Sequence, residues 1–369
     1  MDNLTHTLFA ATLAHTRLDR LGRGTTAALL LASNAPDIDI VAAAAGGGVG
    51  YLHWHRGPTH GPLGIVGLGV ITAALVCGGR SAIDRGCGRA PADGNATFLG
   101  LTLVSMLGVL LHILMDFPTS YGTRLLSPFD WHWYTTDLMP ILDIYLMAVL
   151  VATLAFARRT PEARRRNAAI ALVFMAANYG ARAALHRQAL TIAPRVFAAA
   201  MPPLCDPRAA ALAPFASWPR EWRTTPPPDA QGRCLVEIAA MPDFVSPFRW
   251  RLVARFSGMY EVQDLNLLEP PGDRPEALWR TVRRVPDQWT PEVLHAADAA
   301  VPRVFLDFSR FPAARTYAES SGGVTVRWTD LRFGDGVPRR GQDPRTGGLF
   351  SAVVLLGPDG EVLEQRLGQ

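Results

Sequence analysis

Long uncharged apolar runs dominate the first half of the chain. Gly61 to Gly79 holds 19 residues without Asp, Glu, Lys or Arg, and Gly94 to Met115 holds 22. Leu138 to Ala157 is a run of 20 broken only by Asp143, and Asn167 to Ala181 is a run of 15 that continues past Arg182. A helix needs ~20 apolar residues, at about 1.5 Å each, to cross a bilayer core of ~30 Å. These four runs are therefore the expected membrane spans, the fourth the weakest by length. Two shorter apolar stretches precede them, Asn3 to Thr16 and Gly24 to Pro36. Each reaches only about 20 Å as a helix. They read as a helical hairpin that ends inside the membrane, where non-helical chain is tolerated only against protein or a polar cavity. The alternative for each is an ordinary buried helix of a soluble core.

Further along, the period changes from helical to two. Phe248, Trp250, Leu252, Ala254 and Phe256 alternate with Arg249, Arg251, Val253 and Arg255, the pattern of a half-buried strand. Val304 to Phe308 and Val324 to Trp328 alternate in the same way. Val353 to Leu356 and Val362 to Leu367 flank Gly357-Pro358-Asp359-Gly360 and predict a hairpin. Pro275 to Val285 is expected to be helical. So is the stretch after Thr290, which offers an N-cap followed by Pro291 and Glu292. Eight prolines between 202 and 228 mark a semi-rigid spacer. The expected organisation is a membrane-embedded helical domain over 1–187, a Pro-rich tether over 188–233 and a soluble domain over 234–369. The fold class is a mainly α polytopic membrane helical bundle followed by a small α+β C-terminal domain.

Composition agrees with that division. Charged residues make up 18% of the 369-residue chain, against a usual ~25%. That excludes intrinsic disorder and argues against an ordinary soluble enzyme. All 36 basic residues are Arg, and no run of them resembles a nucleic-acid-binding arm. Their placement sets an orientation. Residues 17–23, 80–93 and 158–166 carry eleven Arg, whereas 37–60 and 116–137 carry only Arg56 and Arg124. By the positive-inside rule the arginine-rich loops are cytoplasmic, the other two segments face outward, and so does everything after about residue 187. The opening residues Met1 to Leu8 lack a basic region and a small-residue cleavage site, so they are expected to stay and join the fold.

Candidate chemistry collects on the outward level. Seven of nine His lie in the first 137 residues. His6 opens the first short helix. Asp37 and Asp39 end the second, where a solvated helix end is the alternative. His53, His55 and His60 cluster before the Gly61 run, with Arg56 between them as the expected clamp for a phosphate anion. His112 and Asp116 stand four residues apart, on one helix face; a plain His–Asp hydrogen bond is the alternative to a metal half-shell. Asp130, His132, Asp137 and Asp143 follow, among aromatic residues that also suit a membrane interface. Asp143, inside an expected span, calls for a partner, with the outer shell of a metal as the candidate. The expected ligands are His6, Asp37, His55, His60, His112 and Asp116, enough donors for one or two divalent ions. Zinc is the first choice, with manganese or iron as alternatives. Asp39 or Asp137 would orient the reacting water.

These stretches resemble the bacterial membrane-bound metal-dependent hydrolase family of the inner membrane. The carrying residues are Leu4-Thr5-His6-Thr7-Leu8, Pro36-Asp37-Ile38-Asp39, His55-Arg56-Gly57-Pro58-Thr59-His60, His112-Ile113-Leu114-Met115-Asp116 and the segment Thr119 to Phe129. The family often has Ser where this chain has Gly61. The resemblance covers about residues 1–185, and Asp330-Leu331-Arg332-Phe333 is similar to the trailing domain of some members. It implies metal-dependent hydrolysis at a site built from these His and Asp. The arginine pattern puts that site at the outer face of the bacterial inner membrane. The short helices bring it within reach of head groups, so a phospholipid or another phosphoester is the expected substrate and membrane lipids the expected partners, with no nucleic acid. A transporter or metal-handling protein is the rival from another class, as is an envelope scaffold whose C-terminal domain binds a partner. No phosphate-binding glycine loop is present, since Gly46-Gly47-Gly48 lacks the following Lys, and no serine nucleophile elbow appears. Cys205 and Cys234 are expected either to pair in an oxidising compartment or to remain free thiols. Cys77 and Cys87 fall on the inner side.

Overall fold

In the computed structural model, residues 1–88, 94–156, 160–198, 201–206, 215–219, 232–269, 281–334, 343, 348 and 350–368 are described. About half of the expected 188–233 tether lies outside them, and its first residues, 188–197, are helical. Most of the Pro275 to Val285 stretch also lies outside the described residues. The chain divides into two compact units. One comprises 1–42 and 54–183, the other 43–53 and 184–369.

The first unit is helical. Helix α1 (Asn3–Ala14) starts where Asp2 accepts the Thr5 amide. α2 (Thr25–Ala32) follows Gly24, whose φ of 104° is a conformation that disfavours side chains. A 3-10 turn (Ala35–Val41) follows, and after it comes α3 (Ala42–Trp54), whose residues 43–53 belong to the second unit. A second 3-10 turn (Pro58–His60) precedes α4 (Pro62–Gly86). α5 (Phe98–Asp116) begins at Thr97, whose hydroxyl accepts the Gly100 amide. α6 (Ile144–Ala155) and α7 (Pro161–Phe197) as far as Ala183 complete the set, the remainder of α7 belonging to the second unit. Three of these helices, α4, α5 and α7, are long and apolar enough to cross a membrane. Phe9, Leu13, Leu29, Val76, Leu101, Val104, Leu146 and Leu150 form one core from five helices. Gly108 lets α2 approach α5 closely: a Cβ there would lie 2.9 Å from the Ala32 Cβ.

Two expectations for this unit are corrected. The Leu138 to Ala157 run is not a 20-residue span, because its helix begins only at Ile144 and has 12 residues. Asp143 ends the run as an N-cap, accepting the amides of Tyr145 and Leu146. Its partner is no metal shell but Arg182 of α7, at 2.7 Å, with Asn178 also donating to it. That pairing accommodates Arg182 within α7, which continues past it as expected but starts before Asn167 and ends beyond residue 187, 37 residues in all.

The second unit contains two four-stranded antiparallel sheets. In the described part of the chain, β1 (Trp133–Thr135) and β2 (Ala216–Trp218) precede them. The first sheet runs β3 (Leu235–Pro242), β4 (Arg249–Phe256), β5 (Met259–Asn266) and β6 (Arg283–Pro286), in that order. β6 replaces a helix at the end of the Pro275 to Val285 stretch. Helices α8 (Pro291–Ala297) and α9 (Ala300–Phe308) follow. The second sheet holds β7 (Pro312–Ala318), β8 (Val324–Asp330), β9 (Ser351–Leu356) and β10 (Val362–Leu367). β9 and β10 form the expected hairpin, with Val354 opposite Gln365.

Here too the packing changes the reading. Trp250, Leu252, Ala254 and Phe256 pack on Ala189, Ala193 and Val196 of α7. The supposed polar face is also covered: Val253 packs with Phe311, Ala313 and Leu331, and Arg255 is buried. β4 is therefore a central, two-sided strand. Val304 to Phe308 belongs to a helix rather than a strand. Pro302, Phe305 and Leu306 are buried at i, i+3 and i+4, so helical spacing overrides a five-residue alternation. Cys205 and Cys234 form a disulfide, whereas Cys77 and Cys87 are free.

Candidate metal centre

Four segments deliver the donors. α5 carries His112 and Asp116 one turn apart, the 3-10 turn after α2 carries Asp37, and the 3-10 turn before α4 ends in His60. Gly61 follows directly, and a Cβ there would lie 1.8 Å from the Ser127 carbonyl oxygen, so no side chain fits. One ligand atom from each of Asp37, His60, His112 and Asp116 lies within 4.8 Å of all the others. The two imidazole Nε2 atoms are 3.2 Å apart. His60 Nε2 is 3.7 Å from Asp37 and 3.6 Å from Asp116, and His112 Nε2 is 3.6 Å from each. A tetrahedron with ~2.0–2.1 Å bonds to nitrogen and oxygen has edges of about 3.3 Å. The observed spacings match that size.

Proton placement strengthens the fit. The Ser33 carbonyl can only accept, so the neutral His112 ring donates from Nδ1 to it at 2.8 Å and turns a lone pair toward His60. His60 Nδ1 faces the Asp39 carboxylate at 3.7 Å and the Thr59 hydroxyl at 3.1 Å, which favours a proton there as well. Two lone pairs then point at one another inside a buried cavity with two carboxylates. A cation between them removes the repulsion, and the carbonyl and carboxylate behind the rings are the usual outer shell of metal-bound histidine. Burial pulls the His60 and His55 imidazoles below their ordinary range, which keeps both neutral.

The other expected residues surround this group without entering it. His6 stacks on the His112 ring at 3.8 Å, and its Nε2 lies 3.2 Å from Asp116 Oδ1, the oxygen that also meets the Met1 α-amino group. His55 Nδ1 lies 3.2 Å from Asp39 Oδ1, and its ring is edge-on to Tyr121. Asp39 also accepts the Arg56 amide at 2.7 Å. Arg56 has a φ of 50°, unusual for a residue with a side chain, held by that bond and by the Arg124 amide on its carbonyl. Its guanidinium does not face an open anion site. It lies 2.9 Å from Asp116 Oδ2 and donates to Thr119 and the Gly122 carbonyl. Asp137 is buried just after β1, outside the four-residue group. Asp130 and His132 form their own exposed pair, with Tyr134 donating to Asp130. Those bonds hold the Asp130 carboxyl down to about 2 and push Tyr134 up to about 12.

Sequence reasoning misses the Ser33 carbonyl, because a backbone acceptor has no residue signature. It also misses the Arg124 guanidinium, which lies 4.3 Å from the rings of both Trp131 and Trp133 and supports the Arg56 loop. The Trp-x-Trp spacing around His132 is the only trace of it.

Residues 1–189 match the family model of the YdjM inner membrane protein. A Bacillus subtilis (strain 168) protein named YfhP and described as uncharacterised is 30% identical over 128 residues, 35% of this chain and 35% of that one. The chain thus spans about a third of the length of the curated relative it matches. No solved structure matches it.

Proposed function

This chain belongs to the YdjM inner membrane protein family, and from that premise we propose that it is a multi-pass, metal-dependent hydrolase of phospholipids or other phosphoesters. Family membership and the three apolar helices place it in the inner membrane. The arginine distribution favours the outer side for the His/Asp cluster and the C-terminal unit. The Cys205–Cys234 disulfide favours the same side, since disulfides persist in oxidising compartments.

The observation that carries the reading is the pair of imidazole Nε2 atoms 3.2 Å apart, backed by Ser33 and Asp39. Asp37, His60, His112 and Asp116 would hold a divalent ion, with zinc fitting the two-imidazole, two-carboxylate set. A bound ion supplies an acidified water and a Lewis acid for a phosphoryl oxygen. The chain's own residues do the rest. Arg56 holds the Asp116 carboxylate through Oδ2. Asp39 fixes His55 and the Arg56 backbone, and stands beside His60 as the residue to orient a water there. Buried walls exclude bulk water and strengthen every charge interaction inside.

The test is turnover of bis(p-nitrophenyl) phosphate and of long-chain phosphatidylglycerol by zinc-loaded protein. Wild type should hydrolyse at least one of them, and chelation or Asp116→Ala should abolish it. Equal rates before and after chelation would contradict the proposal.

A further inference from the structure

Three-residue periodicity governs the 3-10 turn Ala35–Val41, where side chains at i and i+3 eclipse. One row holds Pro36 and Asp39, both buried. A second row holds Ile38 and Val41, 57% and 63% exposed. The third holds Asp37 and Ile40 and lies on the boundary. The Asp37 carboxylate is 18% exposed and Ile40 is 63% exposed. The other three donors are sealed, with side chains no more than 1% exposed. The centre therefore opens past Asp37, and the surface beside that opening is Ile40, with Ile38 and Val41 in the adjoining row.

This rim is chemically specific. A water-soluble phosphate ester is a hydrated anion, and sites that gather such anions present positive charge at the mouth. The rim offers branched hydrocarbon. The adjacent cation, Arg56, is buried and engaged with Asp116, Thr119 and Gly122. A ligand suited to both parts carries a phosphodiester for an ion held at the centre and hydrocarbon for the rim.

Resting on the metal reading above, we propose that the substrate is a membrane phospholipid that enters sideways from the bilayer. Its acyl chains lie along Ile38, Ile40 and Val41, and its phosphate meets the centre at Asp37. A soluble phosphoester lacks the half of the ligand that the rim binds.

The experiment needs no turnover. The full chain is loaded with manganese(II) in nanodiscs of phosphatidylethanolamine and phosphatidylglycerol, and 31P relaxation of the lipid is measured. A parallel sample adds glycerophosphoglycerol, the same head group without acyl chains. Lipid phosphorus should relax faster with wild type than with Asp116→Ala, and glycerophosphoglycerol should neither relax nor displace the lipid effect. Ile40→Glu should retain its manganese and lose the lipid effect by about tenfold, the size expected for one buried aliphatic contact. Equal relaxation of glycerophosphoglycerol, or an unchanged Ile40→Glu, would overturn lateral entry while leaving the metal site intact. A chain that takes up no manganese, zinc or cobalt would overturn the metal reading and this inference with it.

Discussion

In the C-terminal unit Arg332 donates from Nε and Nη2 to Asp330, at 2.7 to 3.2 Å, with both side chains fully buried. In the N-terminal unit the buried His60 and His112 rings face each other across 3.2 Å, and the His112 Nδ1–H already donates to the Ser33 carbonyl. Both are buried polar groups, yet only the first is complete. Arg332 also donates to the Phe308 carbonyl and is flanked by the Trp218, Phe308 and Phe333 rings. Arg310 has Glu237 at 3.6 Å in the same unit. The N-terminal unit has buried charge of its own outside the centre, Asp143 with Arg182 at 2.7 Å. Burial of charge therefore does not mark a site. What marks it is the pair of imidazole Nε2 atoms turned toward each other beside two carboxylates, although Arg56 and the Met1 α-amino group already meet one of those carboxylates, Asp116.

The largest effects should come from breaking complete pairs. Asp330→Ala leaves Arg332 buried without its carboxylate and should cost about 3–5 kcal/mol, read as a lower thermal unfolding midpoint with metal content unchanged. Asp143→Ala should cost a similar ~3–5 kcal/mol in the helical unit, again with metal retained by the folded fraction. Loss of metal in Asp143→Ala would return that residue to the centre's outer shell.

A smaller effect tests the incomplete set from behind. Asp39→Asn should weaken metal affinity roughly 10–100-fold, about 1.4–2.7 kcal/mol, without changing the unfolding midpoint of the metal-free protein. Equal affinities in a competition titration would remove Asp39 from the outer shell. Smaller still is Thr290→Ala, whose hydroxyl caps α8 through the Val293 amide; about 1 kcal/mol of stability should be lost, measurable by denaturant titration.

The smallest effect is a surface one. The Asp130 carboxyl is held near 2 by Tyr134 and His132, below its ordinary value of 3.8. A depressed carboxylate stabilises the fold above its unfolded value and ceases to do so as pH falls through the folded value. The stability gap between wild type and Asp130→Asn should be constant above about pH 5, narrow below pH 4 and close near pH 2. A gap that widens on acidification would contradict the bonding described.

Much of the centre was readable from side-chain spacing alone. The i, i+4 pair His112 and Asp116, and the clustering of Asp37 with Asp39 and of His55 with His60, needed no coordinates. The sequence could not rank these donors, because His55 and His60 are told apart only by which ring turns toward α5. The role expected of Arg56 changed for a similar reason: its left-handed backbone aims the guanidinium inward at Asp116. In the fold, uncharged length identified α4 and α5 but overran α6, since hydropathy does not register that Asp143 is a cap. Alternation over five residues was too short to separate strand from helix at Val304 to Phe308. The long pattern of β4 survived, although Val253 and Arg255 on its arginine face are buried.

Elemental analysis of the detergent-purified wild type beside His112→Ala tests the central claim most directly. The account predicts about one zinc, manganese or iron ion per wild-type chain and its loss in the variant, with both proteins folded. A wild type that stays metal-free after reconstitution with each ion would contradict it.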